Sequence, residues 1–355
     1  PLPQELIAQA AGADPVEFTR DVATLRVGHW VLTAGARPGD AIEPFHDRIR
    51  ETVTLYLDQA TRAQHHHRLA LALEGARQPN HEALAVHWQG AGRPELAVRH
   101  ADEAAGEATR ALAFERAARL YGMALELGAA ATPERLRLTL GRADALAKLG
   151  RGGDAGPAYL EAAALAGGPE ALELGRMAAD QLLRSGRIEA ALSTLVGVLA
   201  PLKLVMPATP RRALAWFLWR RARIRLRGLG YRLRAPSALS ADELRAVDTC
   251  WTIALGLGQV DFMRGASFQA LHHLLALDAG EATRIARSFA LEAGYAASAG
   301  PSAGPRIERL LAEARKLVET GAEARDGSHG AAFVTLMSGV SAFLRQRWSE
   351  ARTLC

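Results

Sequence analysis

The chain has 355 residues, of which 49% are hydrophobic, 23% charged and only 6% aromatic. Apolar content carried by Ala and Leu predicts closely packed helices and excludes a fold built from sheets of β-branched residues. Two cysteines, Cys250 and Cys355, exclude a disulfide scaffold or a cysteine zinc site and fit a reducing cytoplasm, and no apolar run is long enough to span a bilayer.

Charge is uneven. The net charge is +5, yet Lys203 and nine arginines lie between Ala190 and Ala241 without one acidic residue. A local basic patch predicts a docking surface rather than a general nucleic-acid coat. The chain opens at Pro1 and stops at Cys355 inside a helix-like run from Trp348, which reads as a segment of a longer protein.

Asp14-Pro15 is a helix start, with Asp as cap and Pro at the first helical position, and the helix should run to about Arg26. His29 to Thr33 reads as a strand, Gly35 to Asp40 as a turn, and Ala41 to Phe45 as the returning strand. A second helix opens near Asp47 and carries Ile49, Val53 and Leu57 on one face. Asp47 can cap that helix, and His46 can pack beside it. Helix, hairpin, helix is the tail of a winged-helix domain. Glu17 and Asp21 offset Arg20 and Arg26, so its presumed recognition helix has no positive face for DNA.

From about Asp58 only helices are expected, broken at Gly75 to Pro79, Gly92 to Pro94, Ala130 to Pro133, Gly150 to Gly153, Gly167 to Pro169, Gly186, Pro207 to Pro210, Gly228 to Pro236, Gly256 to Gly258, Gly280, Gly300 to Pro305 and Gly327. Breakers at this spacing imply helix pairs. Ala143, Leu146, Gly150, Ala155, Tyr159 and Ala162 repeat as Ala179, Leu182, Gly186, Ala191, Leu195 and Val198, offset by 36 residues throughout. Ala85, Trp88, Gly92, Ala97, Ala101 and Ala104 form a third, partial match, and Gly339, Ala342, Trp348 and Ala351 a fourth. Such units cannot bury an apolar face alone, so they stack. Arg211 to Gly258 fits this pattern poorly.

Chemical motifs are few. His81-Glu82 and His87 are six apart rather than the four that place two histidines on one face for zinc. His65, His66 and His67 are consecutive, so on a helix their rings diverge. The glycines of Gly150 to Gly156 follow a helix, not a strand, and coincide with a repeat turn. The three lysines, Lys148, Lys203 and Lys316, never follow Gly, so no phosphate loop is present. No catalytic residue is assigned, and no metal site.

Thr209 to Arg234 is the most unusual stretch. Trp216, Phe217 and Trp219 adjoin Arg220, Arg221, Arg223, Arg225 and Arg227. The plain reading is an amphipathic helix with aromatics inward and arginines solvated. The functional reading is docking to an acidic protein partner through Trp216, Trp219 and these arginines. An anionic membrane or nucleic acid is the weaker alternative.

The repeat spacing of small residue, large residue, turn, Ala and aromatic resembles the tetratricopeptide repeat. That resemblance implies an all-α, right-handed helical-repeat solenoid. The segment Ile42 to Val53, followed by His66, Leu69, Ala70, Leu73, Ala85-Val86-His87-Trp88 and Leu112 to Tyr121, is similar to the region after the ATPase core in large bacterial serine/threonine protein kinases and related STAND-class signalling ATPases. The domain organisation it implies is a partial winged-helix segment (1–58), a helical linker with the first repeat-like helices (59–130), and tetratricopeptide-like repeats (131–355). The resemblance implies a non-catalytic sensing or protein-interaction arm, regulating a parent that binds ATP or ADP with Mg. In that family a His at this position contacts the β-phosphate of ADP; the matching residue is His46, with Asp47 beside it. The repeats would bind a protein partner or small inducer, and the arm would contact ATPase and output domains intramolecularly. The other reading is the inducer-sensing repeat region of a bacterial transcriptional regulator.

Overall fold

The structure, a computed structural model, describes residues 2–35, 37–76, 78–128, 132–258, 260–298, 300–320 and 329–354. The expected break at Gly327, the 130/131 boundary and Cys355 lie outside the described residues. The chain forms two compact units, Pro1–Leu165 and Ala166–Cys355. The all-α helical-repeat architecture and the short hairpin expected from the sequence are what the chain adopts.

The first unit opens with β1 (Leu2–Pro3), α1 (Gln4–Ala11) and α2 (Pro15–Val27). The Asp14 carboxylate accepts from the amides of Val16 and Glu17 and caps α2. The hairpin strands are β2 (Val31–Thr33) and β3 (Ala41–Pro44), with Leu32 opposite Glu43 and Thr33 opposite Ile42. The β2 strand starts later than His29 because that residue sits at φ 55, a left-handed conformation that closes the α2 turn. The β1 strand, which alternation could not reveal in two residues, pairs with β3 on its other side.

Next come α3 (Asp47–Tyr56), α4 (Gln59–Glu74), α5 (His81–Gly90), α6 (Pro94–Arg110), α7 (Phe114–Glu126), α8 (Thr132–Lys148) and α9 (Gly152–Ala166). From α4 to α8 each helix packs on the next. Ion pairs one repeat apart hold the register: Glu82 to Arg116 and Arg119, and Asp102 to Arg137 at 2.6 Å.

The repeat positions do what their residue types imply. Ala85, Ala97, Ala101, Ala143, Ala155, Ala162, Ala179 and Ala191 are wholly buried. Each intervening turn has the same hydrogen bonds. Arg93 N–H reaches back to Trp88 O, Arg151 N–H to Leu146 O, and Arg187 N–H to Leu182 O. This closure needs one left-handed residue, supplied by Gly92 (φ 71), Gly150 (φ 74) and Gly186 (φ 76). Two further turns close identically with Leu112 (φ 58) and Gln346 (φ 61) there, which hides them from a search for glycine. A side chain in this region costs about 1–2 kcal/mol. Leu112→Gly is therefore expected to stabilise the protein by about 1 kcal/mol, read as a higher denaturant midpoint at unchanged slope.

The second unit contains α10 (Gly168–Arg184), α11 (Ile188–Leu199), α12 (Pro210–Arg227), α13 (Ala241–Leu257), α14 (Phe262–Ala279), α15 (Ala282–Ala297), α16 (Gly304–Thr320), α17 (His329–Leu344) and α18 (Trp348–Leu354). Its core gathers Leu182, Leu195, Ile253, Leu257, Phe268, Ile285, Phe289 and Leu310. The poor repeat fit after Arg211 has a structural cause. Both α10 and α11 contact α13, whereas α12 is laid against α14. The α12 helix is an insertion between repeat partners, so its sequence obeys different constraints. Among the described residues no helix is long and apolar enough to cross a membrane.

Candidate functional site

His46, not Asp47, is the N-cap of α3. Its Nδ1 accepts from the Arg48 amide at 3.2 Å, while Asp47 is the first helical residue and pairs with Arg50 at 3.2 Å. An accepting Nδ1 puts the proton of neutral imidazole on Nε2. His46 is exposed, between exposed Phe45 and the charged Asp47 and Arg48. The Phe45 ring lies tilted against His29 with centroids 5.4 Å apart, and α3 buries none of its residues. Trp30, Val53, Leu55 and Tyr56 are 53%, 51%, 83% and 87% exposed. The α3 face read from Ile49, Val53 and Leu57 is thus present, but Val53 lacks cover and the other two are only half-buried.

The α12 residues divide. Arg220 turns inward, donating through Nη1 to the Ser267 carbonyl and hydroxyl, each at 2.8 Å, with its guanidinium 5.2 Å from the Trp216 ring. Burial pushes its pKa below the usual value. Arg221 binds Glu292 and Arg227 binds Asp278. Trp216 is half-buried. Arg223, Arg225 and Trp219 remain on the surface, with Arg223 over the Trp219 ring at 4.9 Å. Inward aromatics with solvated arginines therefore describes this helix only in part. Trp219 is outside, and three arginines serve internal contacts.

Glu292, fully buried in α15, is the hub of that interior. Its carboxylate accepts from Arg221 at 2.7 Å, Arg306 at 2.8 Å and Gln269 at 2.7 Å, tying together α12, α16, α14 and α15. Burial opposes its charge, but His273, Arg221 and Arg306 outweigh it and hold the carboxyl below its usual range. His273 lies beside it, bonded to the Ser288 hydroxyl at 2.8 Å. Spacing alone could not find this cluster, because its members lie 14 to 71 residues from Glu292. The one signal was polar residues on otherwise apolar helices.

The histidines of the first unit also find partners across helices. His66 of α4 meets His87 of α5, and His81 of α5 meets His100 of α6, each with Nδ1 atoms 3.0 Å apart. Glu74 lies 3.4 Å from His100 Nε2 and accepts from the Trp88 indole. His67 packs edge-on against Trp88. The rings of the His65–His67 run diverge as helical geometry requires, and His81 and His87 go to different helices. Among the described residues no three metal-ligating side chains converge. Burial in the His87 pocket, reinforced by His66, lowers its pKa to about 4. Buried Cys250 has its thiol pushed up to about 12, which removes it as a nucleophile at neutral pH.

A groove of about 460 Å³ runs between α13, α14, α15 and α17, lined by Leu255, Phe262, Tyr295, Met337, Val340 and Leu344. Burial raises the pKa of the Tyr295 hydroxyl bordering it to about 12, so that it is a neutral donor. Gly294 makes room for Met337, since a Cβ there would stand 2.2 Å from the Met337 methyl.

No protein-family model matches the chain, and no curated protein is similar to it.

Proposed function

We propose that this chain is a cytoplasmic, non-catalytic sensing and protein-interaction arm. It would regulate a signalling ATPase or serine/threonine kinase belonging to the same, longer protein. The observation that carries this reading is the set of exposed apolar side chains on the hairpin and on α3, before and after His46 in the chain. A helix that buries none of its residues, carrying Val53, Leu55 and Tyr56 in the open, with Trp30 and Phe45 exposed before it, calls for another protein surface. On the resemblance to STAND-class proteins, that surface would belong to the ATPase core.

The residues fit one nucleotide contact and no more. His46 keeps its Nε2 edge free of the α3 cap and can donate to a phosphate oxygen; the phosphate loop and any Mg ligands would come from the ATPase core. Differential affinity of ADP for the packed arrangement would favour a closed state, and partner binding to the repeats would shift that balance. The test is to express the chain with its preceding coding region and measure ADP retention. His46→Ala should lose retention about tenfold, the equivalent of one lost charged hydrogen bond. His46→Asn preserves a capping side chain and should lose it equally. Unchanged retention in both, or no phosphate loop upstream, overturns the reading.

A second reading, the inducer-sensing region of a transcriptional regulator, draws on the groove bordered by Tyr295. It predicts a helix-turn-helix coded downstream.

A further inference from the structure

The outer face of α12 has the pattern of a helix-packing seam on which nothing is packed among the described residues. The inner face is taken up by Ala213, Arg220 and Ile224, which are buried, and by Phe217, which joins Ile224 against Ala270 and Leu274 of α14. On the opposite side Arg211, Ala215, Leu218, Ala222 and Leu226 follow one another at intervals of four, three, four and four residues, and all five are exposed. That interval keeps side chains in one stripe along a helix. Leu218 and Leu226 are 58% and 88% exposed, and Trp219 and Leu214 border the stripe. Ala215 and Ala222 leave room for a second backbone to approach closely, with the leucines as knobs.

Charge decides the occupant. Arg212 and Arg223 line one side of the stripe and Arg225 the other, and Arg211 stands at its start. Among the described residues none of these four has an ion-pair partner, whereas Arg221 and Arg227 on the same helix are paired. No acidic residue lies between Ala190 and Ala241 to neutralise them. A second copy of α12 laid on the seam would set arginine against arginine. Half of the apolar stripe is alanine, which offers little area for insertion into lipid.

We propose that the outer face of α12 docks an acidic amphipathic helix of a protein partner. That helix carries small and aliphatic residues along one stripe, with Glu or Asp on both flanks. The inference stands on this surface alone and not on the ATPase reading, so either can fail without the other.

The probe is a synthetic helical peptide of the same length as α12, 18 residues, with Leu and Ala on the seam and Glu on the flanks. Its fluorescence anisotropy is followed against the intact 355-residue chain. Binding is expected, weaker at high salt, and at least about tenfold weaker for a Glu-to-Gln version of the peptide. A similar loss is expected for Leu218→Glu and for the double variant Arg223→Glu, Arg225→Glu. All three positions are exposed, so unchanged circular dichroism should show the variants folded. No binding, or equal binding of both peptides, overturns the proposal. So does sedimentation with phosphatidylserine vesicles in the absence of any peptide affinity, which would make the face a membrane contact.

Discussion

Replacing Glu292 with alanine is expected to cost about 3–5 kcal/mol of folding stability, the range for breaking a buried ion pair on one side. The loss is larger than that of an ordinary salt bridge because two cations depend on one carboxylate. Arg221 and Arg306 both donate to it, Gln269 gives a third bond, and Glu292 itself has no solvent exposure. Without it two partly buried guanidiniums lose the carboxylate they share. Glu292→Gln keeps the shape but not the charge, and should recover only a minor part. Urea unfolding monitored by tryptophan fluorescence measures both. A midpoint shift equivalent to less than about 1 kcal/mol, the value typical of an exposed pair, would mean that the four-helix cluster does not hold the second unit together.

The second large effect is acid sensitivity. His272 is fully buried in α14, against Trp251, and its pKa is lowered to about 3. Burial is the main cause, with His273, Arg287 and Arg284 adding repulsion. The unfolded chain takes up a proton at this residue near pH 6.5, whereas the folded chain refuses it until about pH 3. Protons therefore draw the equilibrium toward the unfolded state throughout that window. Stability is complete above it and falls as the pH drops, by about 1.4 kcal/mol per pH unit for this group, roughly 3 kcal/mol by pH 4. Glu292 acts in the same direction. Its folded pKa lies below its unfolded one, so its contribution is present above the unfolded value and disappears as the pH falls through the folded value. His272→Leu removes the titrating ring together with a buried Nδ1 that lacks a partner among the described residues. Its stability-against-pH curve between 6.5 and 4 should be shallower by about one proton. An unaltered slope would place the acid sensitivity elsewhere.

The candidate site was only partly legible in the sequence. The α12 arginines could be picked out because unusual residues stood close together, and His46 only through the resemblance to STAND-class proteins. Their roles could not. A single helix turn decides whether an arginine meets Ser267, Glu292 or solvent, and those partners lie 47 and 71 residues away from Arg220 and Arg221. The Leu112 turn was missed for a related reason. Its left-handed backbone runs against the preference of the residue itself, so the residue type does not signal the turn.

What the sequence determined by itself was local. Ala and Leu at helical intervals, glycine where a helix must close left-handed, Asp14 at a cap, and small residues recurring at an offset of 36 prescribe helix pairs that stack. All but the recurrence depend on atoms within one or two turns of chain. Only the tertiary structure decided that α12 lies on α14, that His66 and His81 meet His87 and His100, and that Glu292 gathers three donors. Those outcomes depend on which faces are brought together by packing. Burial then turns a polar residue of no particular note into a charge that the fold cannot lose.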